Sequence, residues 1–283
     1  MVGPGRDLPA PVAAPPESFI PVVVADLLWG APELATVQES IVAMVRDELT
    51  PTSTLFFFKD HALLPADADG TALAASLLLR AGDPPALAHA ALDRIAANVD
   101  AGGVVATYFD STGERAGIVD EVVGVNALVL AYQLGRAAEL RATEAHVTRF
   151  VLDERHLTGT RYYPSADTFA FFLGRLVTAF PEACPALHAP LRRMIAARAG
   201  TSHHPLDLAQ RVIVGRALGA PVARDEEQLH HLQRPDGSWP ADGLFRYGRR
   251  AIYFGSPALS TAFAVRALFH DEREPSRMGG AHG

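Results

Sequence analysis

The sequence contains one cysteine, Cys184, and one lysine, Lys59, in 283 residues. A lone thiol excludes an intrachain disulfide framework and a multi-thiolate metal site. Charged residues are only 20% of the chain and hydrophobic residues 49%, which excludes a disordered polyelectrolyte. The formal net charge is −7, with nearly all positive charge carried by arginine. No basic stripe is present, so nucleic acid is not an expected partner. No run approaches the roughly 18 apolar residues that suggest a spanning helix, so no stable membrane insertion is expected.

The ends are also poor in signals. Residues 1–18 are rich in Pro, Gly and Ala and lack a charged start followed by a sustained apolar segment. They read as a flexible N-terminal arm rather than a signal peptide. Residues 272–283 are polar and read as a C-terminal tail. The expectation is a cytoplasmic protein whose Ala/Arg-rich, Lys-poor composition suggests a bacterial source, with residues 19–271 forming one domain.

What is present is helical. Segments 71–79, 122–132, 168–177 and 258–269 are apolar almost all round, as buried helices are. Other segments are amphipathic. Leu87, Ala91 and Ile95 share one face, and Leu187, Leu191, Met194 and Ile195 follow helical spacing. Pro84-Pro85 and Pro185 precede these two, as helix starts allow. The two kinds alternate. Apolar segments begin near Phe19, Asp69, Asp120, Asp167, Asp207 and Pro257, the spacing of a helix-pair repeat. The pattern predicts an all-α fold, a single (α/α)6 barrel with six inner and six outer helices. An open helical solenoid is the alternative. Asp69, Asp120 and Asp167 stand at predicted helix starts, where capping of free N–H groups is the plain reading.

Two motifs carry a resemblance. Gln233-Arg234-Pro235-Asp236-Gly237-Ser238-Trp239 resembles the QW repeat of the squalene–hopene cyclase and terpene cyclase superfamily. Weaker echoes stand at 98–103 and 156–159. Leu64-Pro65-Ala66-Asp67-Ala68-Asp69-Gly70-Thr71-Ala72 resembles the DxDD-Thr-Ala segment of class II terpene cyclases, with Gly70 at the third acid position. The resemblance covers about residues 20–270 and implies the toroid shared with protein prenyltransferases. It implies that Asp69, assisted by Asp67, protonates an alkene or epoxide. Class II cyclases commonly place the site between two barrels, whereas this length supplies one.

The chemistry is consistent with the residues. Protonating an alkene needs a carboxyl that keeps its proton at neutral pH, and burial beside a second carboxyl achieves that. The cation then needs aromatic walls and no water. Expected substrate-binding residues are Phe57, Tyr108, Asn126, Tyr162, Asp167, Trp239, Tyr247, Arg249 and Tyr253, with Tyr163, Phe172, Phe245 and Phe254 as further wall candidates. Core packing is the alternative for each aromatic. Asp120 with Glu121 is a runner-up acid pair. Arg246, Arg249 and Arg250 form a basic cluster suited to a diphosphate or carboxylate, or to a solvated loop.

The zinc-dependent prenyltransferases share the barrel, but Cys184 lies at an outer-helix start and reads as a packing residue. His203-His204 and His230-His231 are adjacent pairs that point apart, so no metal and no cofactor is expected. The Asp-rich ionising motif of class I synthases is missing. The expected partner is an apolar isoprenoid or polyene-like small molecule, a prenyl diphosphate among the candidates; a homo-oligomer is compatible. The alternatives are a non-catalytic barrel that binds a hydrophobic ligand or partner, and another reaction class on the same scaffold.

Overall fold

In the computed structural model, residues 2–3, 15–110 and 113–269 are described. Among them are eleven α-helices: α1 (Phe19–Leu27), α2 (Ala35–Thr52), α3 (Ala68–Arg80), α4 (Ala86–Ala97), α5 (Glu121–Gln133), α6 (Arg141–Leu152), α7 (Ala166–Ala179), α8 (His188–Arg198), α9 (Pro205–Leu218), α10 (Ala223–His231) and α11 (Pro257–Phe269). No helix of the described residues is long and apolar enough to cross a membrane.

The odd-numbered helices form the inner ring. Each packs on the next, and α11 packs back on α1, so the ring closes and the solenoid alternative falls. Their composition explains the placement. From Val122 to Ala131 every residue of α5 is buried, and α3 is buried from Ala68 to Leu78. A helix enclosed on one side by the barrel interior and on the other by an outer helix has no face left for water. The even-numbered helices form the outer layer and turn a single apolar face inward. Ala88, Ala91, Leu92 and Ile95 line that face of α4, and Leu191, Met194 and Ile195 that of α8. Close approach is set by small residues: a Cβ on Gly174 would stand 2.8 Å from Val214, where α7 meets α9.

Five of the six expected outer helices lie among the described residues, and the expected C-terminal tail 272–283 lies outside them. The expected N-terminal arm is also outside them, apart from residues 2–3 and 15–18. Val2–Gly3 forms strand β1, which pairs with β3 (Tyr253–Gly255), itself paired antiparallel with β2 (Gly243–Arg246). This small sheet is an addition to the all-helical expectation. Ser18 is fully buried and its N–H donates to the Phe57 carbonyl.

The QW-like segment marks the passage from α10 to α11. Trp239 is fully buried, its Nε1 donates to the Leu229 carbonyl at 2.7 Å, and Gln233 Nε2 donates to the Gly237 carbonyl at 3.1 Å. With Trp239 N–H donating to Thr261 Oγ1 at 3.1 Å, the segment ties α10 to α11. Cys184 is buried before α8, its Sγ near Glu144 Oε1 at 3.6 Å.

Candidate functional site

The acid-bearing segment is threaded between two loops. Asp67 N–H donates to the Leu55 carbonyl, Ala68 N–H to the Thr107 carbonyl, and Phe109 N–H to the Ala66 carbonyl. Thr71 Oγ1 accepts from Leu55 N–H at 2.8 Å and donates to the Asp67 carbonyl at 2.6 Å. This stitching brings Phe57 and Tyr108, which lie far apart in sequence, to the start of α3.

The two acids divide the work. Asp67 is the N-cap of α3, its Oδ1 accepting from Gly70 N–H at 2.7 Å. A Cβ at Gly70 would lie 3.3 Å from that same oxygen, so the position of the third family acid is crowded by the cap. Asp69, in the first turn of α3, makes its side-chain hydrogen bonds to other elements. Its Oδ1 accepts from Asn126 Nδ2 at 2.7 Å, and its Oδ2 accepts from the Tyr163 hydroxyl. Both acids are buried and both line one cavity at the N-terminal ends of the inner helices.

Burial, and then the neighbouring Asp69, push the Asp67 carboxyl up to about 7. Burial also raises Asp69, against the opposing pull of the Tyr163 and Asn126 hydrogen bonds and of the Arg175 charge. Burial thus favours the acid form of both carboxyls, and the Asp69 charge adds to this at Asp67. A third carboxyl stands close. Asp120 is the N-cap of α5, fully buried, with Oδ1 accepting from Val122 N–H and Oδ2 from Tyr162 N–H. Burial pushes it up to about 7 as well.

The walls are aromatic. Phe57 sits within ring-contact distance of Phe19, Phe58, Phe245 and Phe254, and Phe245 stacks on Phe254 at 5.1 Å. Tyr108 meets Tyr162 edge-on at 5.9 Å, and Tyr163 meets Phe172 at 5.4 Å. The space open to water centres is about 70 Å³, room for only a handful of waters. The β2–β3 hairpin closes one side. A Cβ on Gly255 would stand 1.8 Å from the Asp242 carbonyl oxygen, so glycine is what permits this tight pairing. Arg246 pins the hairpin over the mouth: its N–H donates to the Tyr162 carbonyl, its Nε to the Arg161 carbonyl and its Nη2 to the Thr160 carbonyl.

Of the residues expected from sequence, Asp67, Asp69, Phe57, Tyr108, Tyr162 and Tyr247 line this cavity, and Asn126 reaches it through Asp69. Four lie elsewhere. Asp167 is fully buried in an ion-pair network, accepting from Arg198 and from Arg211. Trp239 packs between α10 and α11. Arg249 is exposed, and Tyr253 lies on β3 beside the lining residue Phe254 rather than among the lining residues. Phe58, from the Phe56–Phe58 run, and Arg246, from the expected basic cluster, line the cavity too, together with Phe19, Leu64 and Val123, which no sequence signal marks as binding residues. Arg175 was missed altogether. Its signal was present: a guanidinium inside the apolar run 168–177 needs a partner.

Two buried carboxyls thus stand at the wall of an aromatic cavity. The sequence model of the sesquiterpene cyclase astC-like C-terminal domain matches residues 33–134. The chain is 34% identical over 232 residues to drimenol cyclase drtB of Aspergillus calidoustus, covering 80% of this chain and 43% of that protein. It thus spans less than half the length of that curated relative. Among solved structures, type II terpene cyclase MstE from Scytonema superposes with a TM-score of 0.70 at 15% identity, over 89% of this chain and 86% of that one. A protein from Actinoplanes superposes with a TM-score of 0.64 at 18% identity, over 89% of each chain. A complex of an MstE variant with geranylgeranyl dihydroxybenzoate, its substrate, superposes with a TM-score of 0.68 at 14% identity, over 88% and 86%. In sequence the chain is similar to these cyclases over part of their length, and its fold is the α/α toroid of those structures.

Proposed function

We propose that this chain is a class II-type cyclase that protonates an alkene of a linear isoprenoid and lets the resulting cation close rings. The observation that carries the reading is the division of roles between the two acids. Asp67 caps α3, whereas Asp69 is held by Tyr163 and Asn126 at the wall of an aromatic cavity. An acid that only stabilised its helix would have no need of partners on α5 and before α7. The alkene takes the proton from the Asp69 carboxyl. The cation is then stabilised by the ring faces of Phe57, Tyr108 and Phe245, and water is kept scarce.

The likeness to proteins named as cyclases supports this reading. The match to the Scytonema cyclase over 86% of that chain supports placing the reaction within one such barrel. The head of the substrate would lie towards the mouth, where Arg246 stands among the lining residues and Arg115 and Arg161 lie over the Tyr108 and Tyr162 rings. Cationic groups there suit a diphosphate or another anionic or phenolic head.

The test is incubation with a prenyl diphosphate, a free prenyl alcohol and a prenylated phenol, with products read by mass spectrometry and NMR. A cyclised product from at least one of them is expected, and its formation should fall by at least about 10²-fold in Asp69→Asn, the usual worth of a general acid. Asp69→Asn keeps the shape and the Tyr163 contact while removing the proton. Undiminished turnover by that variant overturns the assignment. Tight binding of all three without any conversion supports instead a ligand-binding barrel.

A further inference from the structure

The barrel interior holds a second cavity, nearer the C-terminal ends of the inner helices, with about 180 Å³ open to water centres. Asp26, Arg80, Phe172, Arg175 and Arg266 are among its lining residues. Its polar groups do not stop at its own wall. Arg175 on α7 donates through Nη2 to Asp26 Oδ2 at 2.6 Å and through Nη1 to Asn126 Oδ1 at 3.2 Å. Asn126 donates in turn through Nδ2 to Asp69 Oδ1 at 2.7 Å. Arg80 completes the far end, donating to Asp26 Oδ1 at 3.1 Å. A continuous line of hydrogen bonds therefore runs from the lower cavity, through one buried amide, to the acid in the upper one.

The chemistry of that line is directional. A guanidinium only donates, so the Asn126 oxygen must face Arg175 and its NH2 group must face Asp69. A buried amide freed from this constraint could turn its oxygen towards a protonated Asp69 and stabilise the acid form. The guanidinium charge acts in the same sense, since a cation nearby favours the carboxylate left behind when the proton departs. Phe172, whose ring lies 6.0 Å from the Arg175 guanidinium carbon, helps hold the side chain in place.

We infer that Arg175 is a positioning residue for Asp69: acting through Asn126, it fixes the hydrogen bond that the carboxyl receives and makes it a readier proton donor, while Asp26 moderates the arginine's charge. This rests on the cyclase reading for its catalytic meaning, but the linkage between Arg175 and Asp69 stands on geometry alone. The direction agrees with the depressing influence of Arg175 on the Asp69 carboxyl, which burial otherwise raises. The other charged or titratable groups facing Asp69 are Asp67 at the head of α3, Asp120 at the head of α5, and Tyr163 before α7. Tyr108 and Arg246 share its cavity, and Asp26, Arg80 and Arg266 face Arg175 from α1, α3 and α11.

The experiment titrates the Asp69 carboxyl directly, by infrared difference spectroscopy with Asp69→Asn to assign the band, in the wild type, Arg175→Met, Arg175→Lys and Asp26→Asn. The expected midpoint rises by about one pH unit in Arg175→Met, stays near wild type in Arg175→Lys, and falls in Asp26→Asn. With a converted substrate, kcat of Arg175→Met should drop roughly 10- to 100-fold while KM stays within about two-fold, and the alkaline limb of its pH profile should move upward with the band. A variant that is slower merely because it is loosened would not shift that limb to higher pH. Midpoints equal in wild type and Arg175→Met overturn the inference, whatever the activity. If the midpoints move as expected but Asp69→Asn still converts substrate at the wild-type rate, the linkage holds and the cyclase reading fails. Circular dichroism identifies any variant that does not fold. In that case Asp26→Asn alone decides, because an unchanged or raised midpoint there also overturns the inference.

Discussion

Tyr163 and Asp69 are 94 positions apart in sequence, yet the tyrosine hydroxyl donates to Asp69 Oδ2 inside the barrel. The contact exists because α3 and α7 are both inner helices whose first turns face the same end of the ring. Tyr163 is held from behind as well. Its carbonyl accepts from Thr160 N–H at 2.7 Å, and its N–H donates to Thr160 Oγ1 at 3.2 Å. Such bracing keeps the hydroxyl on the acid, and the acid off its own helix.

Removing that hydroxyl should be costly for rate and cheap for fold. Tyr163→Phe keeps the ring contacts with Phe172 and Phe245. It leaves Asp69 with one donor fewer, so the carboxyl holds its proton more tightly. We expect a drop in kcat of about 10-fold or more with little change in KM, as for the loss of one hydrogen bond to a charged group. Steady-state kinetics with the converted substrate, beside a thermal melt, check this. An unchanged kcat would show that Tyr163 only packs.

Stability should depend on pH in an unusual direction. Asp67 and Asp120 are both pushed up to about 7 by burial, whereas an unfolded aspartate titrates near 3.9. Between those values the folded chain binds more protons than the unfolded chain, so stability falls as pH rises. The contribution is fully present below the ordinary carboxylate range and lost once pH passes about 7. Each carboxyl can contribute a few kcal/mol across that window, at about 1.4 kcal/mol per pH unit of displacement. Thermal melts from pH 5 to 8 should show a declining Tm, and Asp120→Asn should flatten the slope. A Tm that climbs through this range would contradict the burial-raised carboxyls.

The sequence patterning made the ring legible because inner helices are apolar on every side and recur at a near-constant spacing. The observed starts at Phe19, Ala68, Glu121, Ala166, Pro205 and Pro257 lie within two residues of those read from the chain. The acids were legible for the same reason, since they stand at the heads of such helices. The β2–β3 hairpin was not, because its strands are only four and three residues long and its register depends on contacts with distant loops. Tyr163 could be named as an aromatic near the site but not as the partner of Asp69, which only ring closure brings about. Asp167 has the same local appearance as Asp69, an acid in the first turn of an apolar helix. What separates them is the partner on the next helices: arginines for Asp167, and an amide and a phenol for Asp69.

That contrast makes Asp167 a structural residue by its contacts, with a measurable consequence. Arg211 is fully buried between Asp167, 2.9 Å from its Nη1, and Asp225, 2.8 Å from its Nη2. Arg198 closes the network from the end of α8, with Nη2 2.6 Å from Asp167. Removing one acid leaves a buried guanidinium short of countercharge, which costs about 3–5 kcal/mol. For a chain of this size each kcal/mol shifts Tm by about 2–4 °C. Asp167→Ala should therefore lower Tm by roughly 6–20 °C. Its kcat per folded molecule should remain near wild type, because the network does not touch the aromatic cavity. Pairing Asp167→Ala with Arg211→Met, which removes the stranded charge and keeps the bulk, should recover part of the loss. A melt that does not move in Asp167→Ala, or a kcat that collapses while Tm holds, would show that Asp167 serves the reaction rather than the fold.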